Sequence, residues 1–324
     1  MNRTVLLVLL VAGVGAMAGA PASDAQENRF RGGIGGGVMV FQRSDNLDPN
    51  GSDRYLSNLN EAADEEVTVL PLLAPYFIYD AGAPGGAALQ LTVRPPIREA
   101  GGLVVNLGAT YALPQEAGSL AAGLFVAPLE EAWRNPYLVG ERRRTTASPK
   151  YGGYLGWERV AGSGLQLRTV FVRDTVDDDD IGRMNSDLDR EGHIYAVVAD
   201  YAIALTEDLE IVPGVAYLRG DYDGASNAFD RFAVELQATY RLGRLALQPK
   251  LSFSTSRYDR QDPIFRETRD QNSFFMDLNI SYQAPFGWEG WAAQVMTGYG
   301  QDDDDIDFYD TETLRLGTLL TYYF

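Results

Sequence analysis

Segments of about ten residues in which apolar and polar side chains alternate recur along this chain, separated by connections that are alternately long and short. A period of two puts successive side chains on opposite faces of a strand, so each such segment has one apolar face and one polar face. The clearest runs from Phe274 to Tyr282. There Phe274, Met276, Leu278, Ile280 and Tyr282 share one face, and Asp277, Asn279 and Ser281 share the other. A helix would mix those sets. The stretch from Arg231 to Arg241 repeats the device, with Phe232, Val234, Leu236, Ala238 and Tyr240 opposite Arg231, Glu235, Gln237, Thr239 and Arg241. Its mate begins at Leu245, across a Gly243-Arg244 connection short enough for a hairpin.

Reading the whole chain this way predicts about fourteen strands (12 to 16), near 31–43, 66–79, 87–94, 102–113, 118–127, 150–160, 165–174, 192–205, 209–219, 230–242, 245–257, 273–283, 290–300 and 313–324. Connections after odd strands are long, among them 44–65, 128–149, 175–191, 258–272 and 301–312, whereas those after even strands are brief. Long outer loops alternating with short periplasmic turns are the habit of outer-membrane barrels. The expected fold is therefore all-β: a transmembrane antiparallel up-and-down β-barrel. Gly32, Gly33, Gly35, Gly36 and Gly37 weaken the first strand, and Pro71 and Pro75 make the register of the second the least secure.

Both ends of the sequence fit export to the outer membrane of a Gram-negative bacterium. Arg3 followed by an apolar stretch and small residues reads as a signal peptide over 1–25, cleaved after Ala25 or, as second choice, after Ala22, leaving the barrel in 26–324. Tyr322 and the terminal Phe324 form an aromatic ending of the kind the barrel assembly machinery reads, although Thr318 stands where an apolar residue is commoner. Beyond the signal, no apolar stretch is long enough for a membrane helix.

Composition narrows the chemistry. The absence of cysteine removes disulfides and thiolate catalysis, and a net charge of −18 argues against nucleic acid, which needs basic patches. Aromatics near strand ends, among them Tyr111, Tyr151, Trp157, Tyr217, Tyr240, Tyr282, Trp291, Tyr299 and Tyr322, suit two interfacial girdles. The lone His193 falls on the lipid face with Tyr195, Val197 and Tyr201, so an interfacial role is expected; an acid–base site beside Asp189 or Glu191 is the catalytic alternative. One histidine and no cysteine leave few ways to activate a nucleophile, and no enzyme and no cofactor are expected.

The candidate lumen-facing residues carry both signs: Arg94, Arg168, Arg231, Arg241, Lys250 and Arg315 against Glu158, Asp200, Glu210, Glu235 and Asp277. Phe125, Tyr154, Phe275 and Tyr323 are expected inward as well and would narrow the pore. Two acidic tetrads, Asp177-Asp178-Asp179-Asp180 and Asp302-Asp303-Asp304-Asp305, fall in expected loops. Oxygen-rich loops can take divalent cations, but neither matches an EF-hand, and solvated charges meeting cations that bridge lipopolysaccharide are the simpler reading. Arg142-Arg143-Arg144 reads as an exposed loop cluster, with a pore constriction as the alternative.

Glu131-Ala132-Trp133-Arg134-Asn135-Pro136-Tyr137-Leu138-Val139-Gly140, with Trp157-Glu158-Arg159-Val160-Ala161-Gly162-Ser163-Gly164, the Pro71–Tyr79 stretch and Phe324, resembles an uncharacterised family of gammaproteobacterial outer-membrane proteins classed as a domain of unknown function. That resemblance implies a barrel and carries no activity or site residue with it. The functional expectation is a passive channel or porin for small solutes. Its rival is a closed structural or surface-interaction barrel whose acidic loops engage divalent cations, outer-membrane lipids and lipopolysaccharide, or an external partner.

Overall fold

The computed structural model describes residues 29–80, 87–92, 97–102 and 104–324. The expected leader and Arg94 lie outside those residues. Fourteen antiparallel strands make the wall: β1 Phe30–Ser44, β2 Glu66–Asp80, β3 Ala88–Thr92, β4 Val105–Ala112, β5 Ser119–Ala127, β6 Lys150–Glu158, β7 Leu165–Asp174, β8 Gly192–Tyr201, β9 Leu209–Tyr222, β10 Phe229–Leu242, β11 Leu245–Asp262, β12 Glu267–Gln283, β13 Trp291–Asp304 and β14 Thr311–Tyr323. Ile203–Ala204 prolongs β8, and a short hairpin of Glu131–Trp133 with Thr145–Ala147 stands outside the wall. Each strand pairs with the next. The last pairs with the first, from Gly33↔Tyr323 to Ser44↔Glu312, so the sheet closes and keeps no free edge.

Alternation decides which face each side chain takes. On β10, Phe232, Val234, Leu236 and Tyr240 point out and are exposed, while Arg231 and Thr239 point in and are buried. The same parity around the barrel produces a continuous outer apolar belt in which Leu124 is 72% exposed and Val67 62%. Surface of that extent is matched by lipid rather than water. No helix among the described residues is long and apolar enough to cross a membrane. The nine aromatics assigned to girdles all stand on outward positions; at the short-turn end Trp291 packs against Tyr322, with ring centroids 5.2 Å apart.

Gly243 shows how sequence fixes a turn. Leu242 pairs with Leu245, leaving Gly243 and Arg244 as a two-residue loop, and Gly243 has φ +59°, a value glycine adopts freely in the first position of such a turn.

Two expected connections are strand instead. β11 runs on to Asp262 and β12 begins at Glu267, so most of 258–272 is hairpin, and β13 continues through Asp302, Asp303 and Asp304. Beyond the lipid a ladder needs backbone hydrogen bonds but no apolar face, so its residues can be charged on both sides and the alternation signal vanishes.

Large inward side chains lie along the wall rather than across the lumen. A Cβ at Gly220 would stand 2.5 Å from a ring carbon of Phe229, and one at Gly123 would stand 2.5 Å from Tyr154; Phe275 covers Gly300 in the same way. Each ring occupies the space its glycine neighbour leaves open.

Candidate pore constriction

Between β3 and β4 the stretch 97–102 lies inside the barrel. Its 3-10 turn Arg98–Ala100 is followed by Gly101 at φ +107°, a conformation that lets the chain reverse. Ala100 and Val104 are wholly buried against Phe125 and Ala127 of β5, Val170 and Val172 of β7, Ile194 and Ala196 of β8, and Leu218 of β9. These are inward positions, unusually apolar for a polar lumen. The inward segment covers them, and burial of several aliphatic side chains at ~1.5–3 kcal/mol each holds it there.

From that anchor the segment reaches the opposite wall. Glu99 accepts a 2.6 Å hydrogen bond from Arg231 of β10, whose guanidinium also donates to Ser256 (2.6 Å) and Gln271 (3.3 Å). Arg98 lies 4.2 Å over the ring of Phe275 on β12 and 3.6 Å from Asp302 on β13. On the β6–β7 side Lys150 pairs with Asp174 at 3.1 Å, and Tyr222 donates to the same carboxylate at 3.1 Å. The lumen at this level is thus crossed by one short segment and its ion pairs. Arg98 and Glu99 were not among the residues expected to face the lumen, because a short stretch beside a proline pair reads only as a connection.

Towards the short turns the inner face is polar and wet. Arg168, Asp200, Glu235, Arg241, Lys250, Asp277 and Arg315 stand on inward positions, as does Glu158 near the rim, where Ser119 donates to it at 3.2 Å. Lys250 meets Glu235 at 2.9 Å, and Arg315 meets Asp277 across Gly298, which has no side chain to obstruct the pair. All four side chains are about a third exposed, between 32% and 40%.

The long-loop end is capped. Phe308 and Tyr309 pack with Ile306, Leu56, Leu59, Tyr137 and Phe265. Tyr137 and Tyr309 share a 2.7 Å hydroxyl contact, Tyr309 donates to Asp262 at 2.5 Å, and Arg269 lies 3.5 Å over the Tyr309 ring while donating to Asp304 at 3.0 Å. Burial, with the nearby Asp262 carboxylate, pushes the Tyr137 phenol up to about 12.

The arginine triplet departs from its expected exposure. Arg142 and Arg144 are exposed, but Arg143 is 1% exposed, stacked 4.3 Å over Trp133. It donates to the carbonyls of Asn46 (2.8 Å), Pro136 (3.2 Å) and Asp53 and to the Ser52 hydroxyl (3.0 Å). Burial brings its pKa down to about 10, so it stays charged and ties the loop after β1 to the loop after β5.

The acidic tetrads are largely taken up by arginines. Arg134 meets Asp180 at 2.9 Å and Asp178 at 3.3 Å, Arg183 meets Asp180 at 2.5 Å, and Arg190 meets Asp179 at 2.5 Å. Hydrogen bonds from Arg134 and Arg183 hold the Asp180 carboxyl down at about 2. Asp177 is exposed. In the second tetrad Asp302 and Asp304 turn inward, and Asp303 and Asp305 turn outward, so the four do not converge. Among the described residues no three His, Cys, Asp or Glu are grouped as metal ligands. His193 faces outward, stacked on Phe171 at 5.4 Å, with Arg173 between it and Glu191.

Closed wall, apolar belt and partly filled interior together define a transmembrane β-barrel. Within that class, residues 30–323 match the family described as Protein of unknown function (DUF2860), and the chain belongs to it. No curated protein matches the sequence. Solved structures of similar fold include a Pseudomonas aeruginosa FadL homologue (10% identity, covering 91% of this chain and 90% of that one, TM-score 0.42). A TodX mutant described as a monoaromatic hydrocarbon channel (9% identity, 91% and 90%, TM-score 0.46) and an anion-selective porin from Comamonas acidovorans (7%, 91% and 98%, TM-score 0.43) are others. The likeness is one of fold alone.

Proposed function

We propose that this barrel sits in the outer membrane of a Gram-negative bacterium and acts there as a passive channel for small solutes, narrowed by the Arg98–Ala100 turn. The observation that carries this reading is the wet inner wall: the Lys250–Glu235 and Arg315–Asp277 pairs are 32–40% exposed although they lie inside the barrel. Rings that would obstruct the lumen are inlaid against glycines instead. Eight-stranded barrels are filled by their own side chains and sixteen-stranded ones hold channels, so fourteen strands leave room for water beside one inward segment. Tyr322 and Phe324 would present the assembly signal, and the outward aromatic girdles would meet lipid and lipopolysaccharide.

Single-channel recording of the refolded protein in a planar bilayer tests this. Steady openings support a pore; silence from protein whose gel mobility shifts on heating, and which is therefore folded, rejects it. The cap formed by Tyr137, Phe265, Phe308 and Tyr309 favours a second reading, a closed surface-interaction barrel. Silence that persists after Phe308→Ala loosens the cap would support that reading.

A further inference from the structure

Three cations and four carboxylates stand at the constriction: Arg98, Lys150 and Arg231 with Glu99, Asp174, Asp302 and Glu130, the last of which accepts from the Gly102 N–H at 2.9 Å. What a permeating ion meets depends on which of these charges reach water. Arg231 is 8% exposed and its partner Glu99 14%; Lys150 is 22% exposed and Asp174 11%. Arg98 is 45% exposed, and its carboxylate neighbours, Asp302 at 3.6 Å (16% exposed) and Glu99 at 3.7 Å, lie beyond hydrogen-bonding distance and largely away from water. Asp302 is further engaged by Thr311, which donates to it at 2.8 Å. On the β12–β13 side of the passage the most exposed charge is therefore that of Arg98, held over the Phe275 ring by a cation–π contact.

The protein as a whole is acidic, at −18, which on its own would favour cations. Yet four of the carboxylates at the long-loop end are matched locally, Asp178 and Asp180 by Arg134 and Arg183, Asp179 by Arg190, and Asp304 by Arg269. Those left unmatched on the surface are screened within about 8 Å at physiological ionic strength. Selectivity is set where the passage is narrow and the charge close.

Resting on the channel reading above, we infer that Arg98 makes the constriction selective for small anions, against the sign of the protein's own net charge. A unit charge about 6 Å from a permeating ion in a water-like medium favours an anion over a cation by about three- to tenfold. The test is the reversal potential of the full-length barrel in a planar bilayer under a potassium chloride gradient. Wild type and Arg98→Lys should prefer chloride, Arg98→Gln should lose most of that preference, and Arg98→Glu should invert it. Each variant is first shown to be folded by its heat-dependent gel mobility. A conducting wild type that prefers potassium, or a chloride preference unchanged in Arg98→Gln and Arg98→Glu, overturns the inference while leaving the channel intact. A folded wild type that never conducts overturns the channel reading and the selectivity with it.

Discussion

Replacing Arg143 with methionine keeps an unbranched side chain against Trp133 but removes every hydrogen bond of the guanidinium. Three carbonyls lose the guanidinium as donor, those of Asn46 at 2.8 Å, Pro136 at 3.2 Å and Asp53, and the Ser52 hydroxyl, 3.0 Å away, keeps only the Trp133 indole N–H at 3.3 Å. A hydrogen bond to a charged group contributes ~1.5–3 kcal/mol and a desolvated cation–π contact up to ~2 kcal/mol. Against this, the wild type bears the cost of burying the guanidinium, several kcal/mol, which the variant escapes. The balance is a loss of about 3–5 kcal/mol, in line with breaking a buried charged network. The loss should be local, because Arg143 joins loops rather than strands. Its readout is hydrogen exchange at the amides of Gly140 and Arg143, which donate to Leu56 and Arg54 at 3.0 and 2.8 Å and so bridge the same two loops. They should exchange about 100- to 4,000-fold faster, since each 1.4 kcal/mol is a factor of ten, while amides of β9 to β12 keep their protection. Exchange within threefold of wild type at Gly140 and Arg143 would refute the reasoning, as would equal loss of protection throughout the barrel.

Further outcomes follow from other contacts. Tyr309→Phe removes the hydroxyl that joins Tyr137 to Asp262, and should loosen the cap by ~1–3 kcal/mol, seen as faster exchange in 133–140 and 304–310 with unchanged barrel unfolding. Gly220→Ala places a Cβ 2.5 Å from Phe229; a displaced ring should lower the urea midpoint by an amount equivalent to ~1–3 kcal/mol. Burial and the neighbouring Asp48 push the Asp45 carboxyl up to about 6. Because its folded pKa lies above its unfolded one, the stabilisation is fully present below about pH 4 and is lost as pH rises through about 6. Opening of the 45–51 turn, corrected for intrinsic exchange rates, should therefore increase from pH 4 to pH 7 in wild type and not in Asp45→Asn.

Periodicity made the wall readable because lipid on one side and water on the other impose opposite demands on successive residues. Arg231, Glu235, Lys250, Asp277 and Arg315 could be placed on the inner face for that reason alone. The signal fails where the two sides of a strand meet the same solvent. Asp302 to Asp304 and the Tyr258–Asp262 stretch of β11 are largely polar on both faces, so they read as loop although they are hydrogen-bonded ladder. Arg143 was concealed by its neighbours: three consecutive arginines read as a solvated cluster, and only the fold shows that the middle one turns towards Trp133. The inward turn at Arg98 had one available sign. Val170, Val172, Ile194, Ala196 and Leu218 make the inner face of β7 to β9 apolar, and an apolar inner face requires something to cover it.

Closure between β1 and β14 has a consequence in time. Every other pairing in the wall joins strands that are neighbours in the chain, whereas Gly33 meets Tyr323 only after about 290 intervening residues have been gathered. Bringing ends together over that distance costs on the order of 5 kcal/mol by the logarithmic rule for chain closure. The strand that completes the seam carries glycine at 32, 33, 35, 36 and 37, and so offers few side chains to hold an early encounter. Pairing at this seam is therefore expected to follow the hairpins, and the rings of Phe30, Phe77 and Phe324, 5.6–6.3 Å apart across the join, are its clasp.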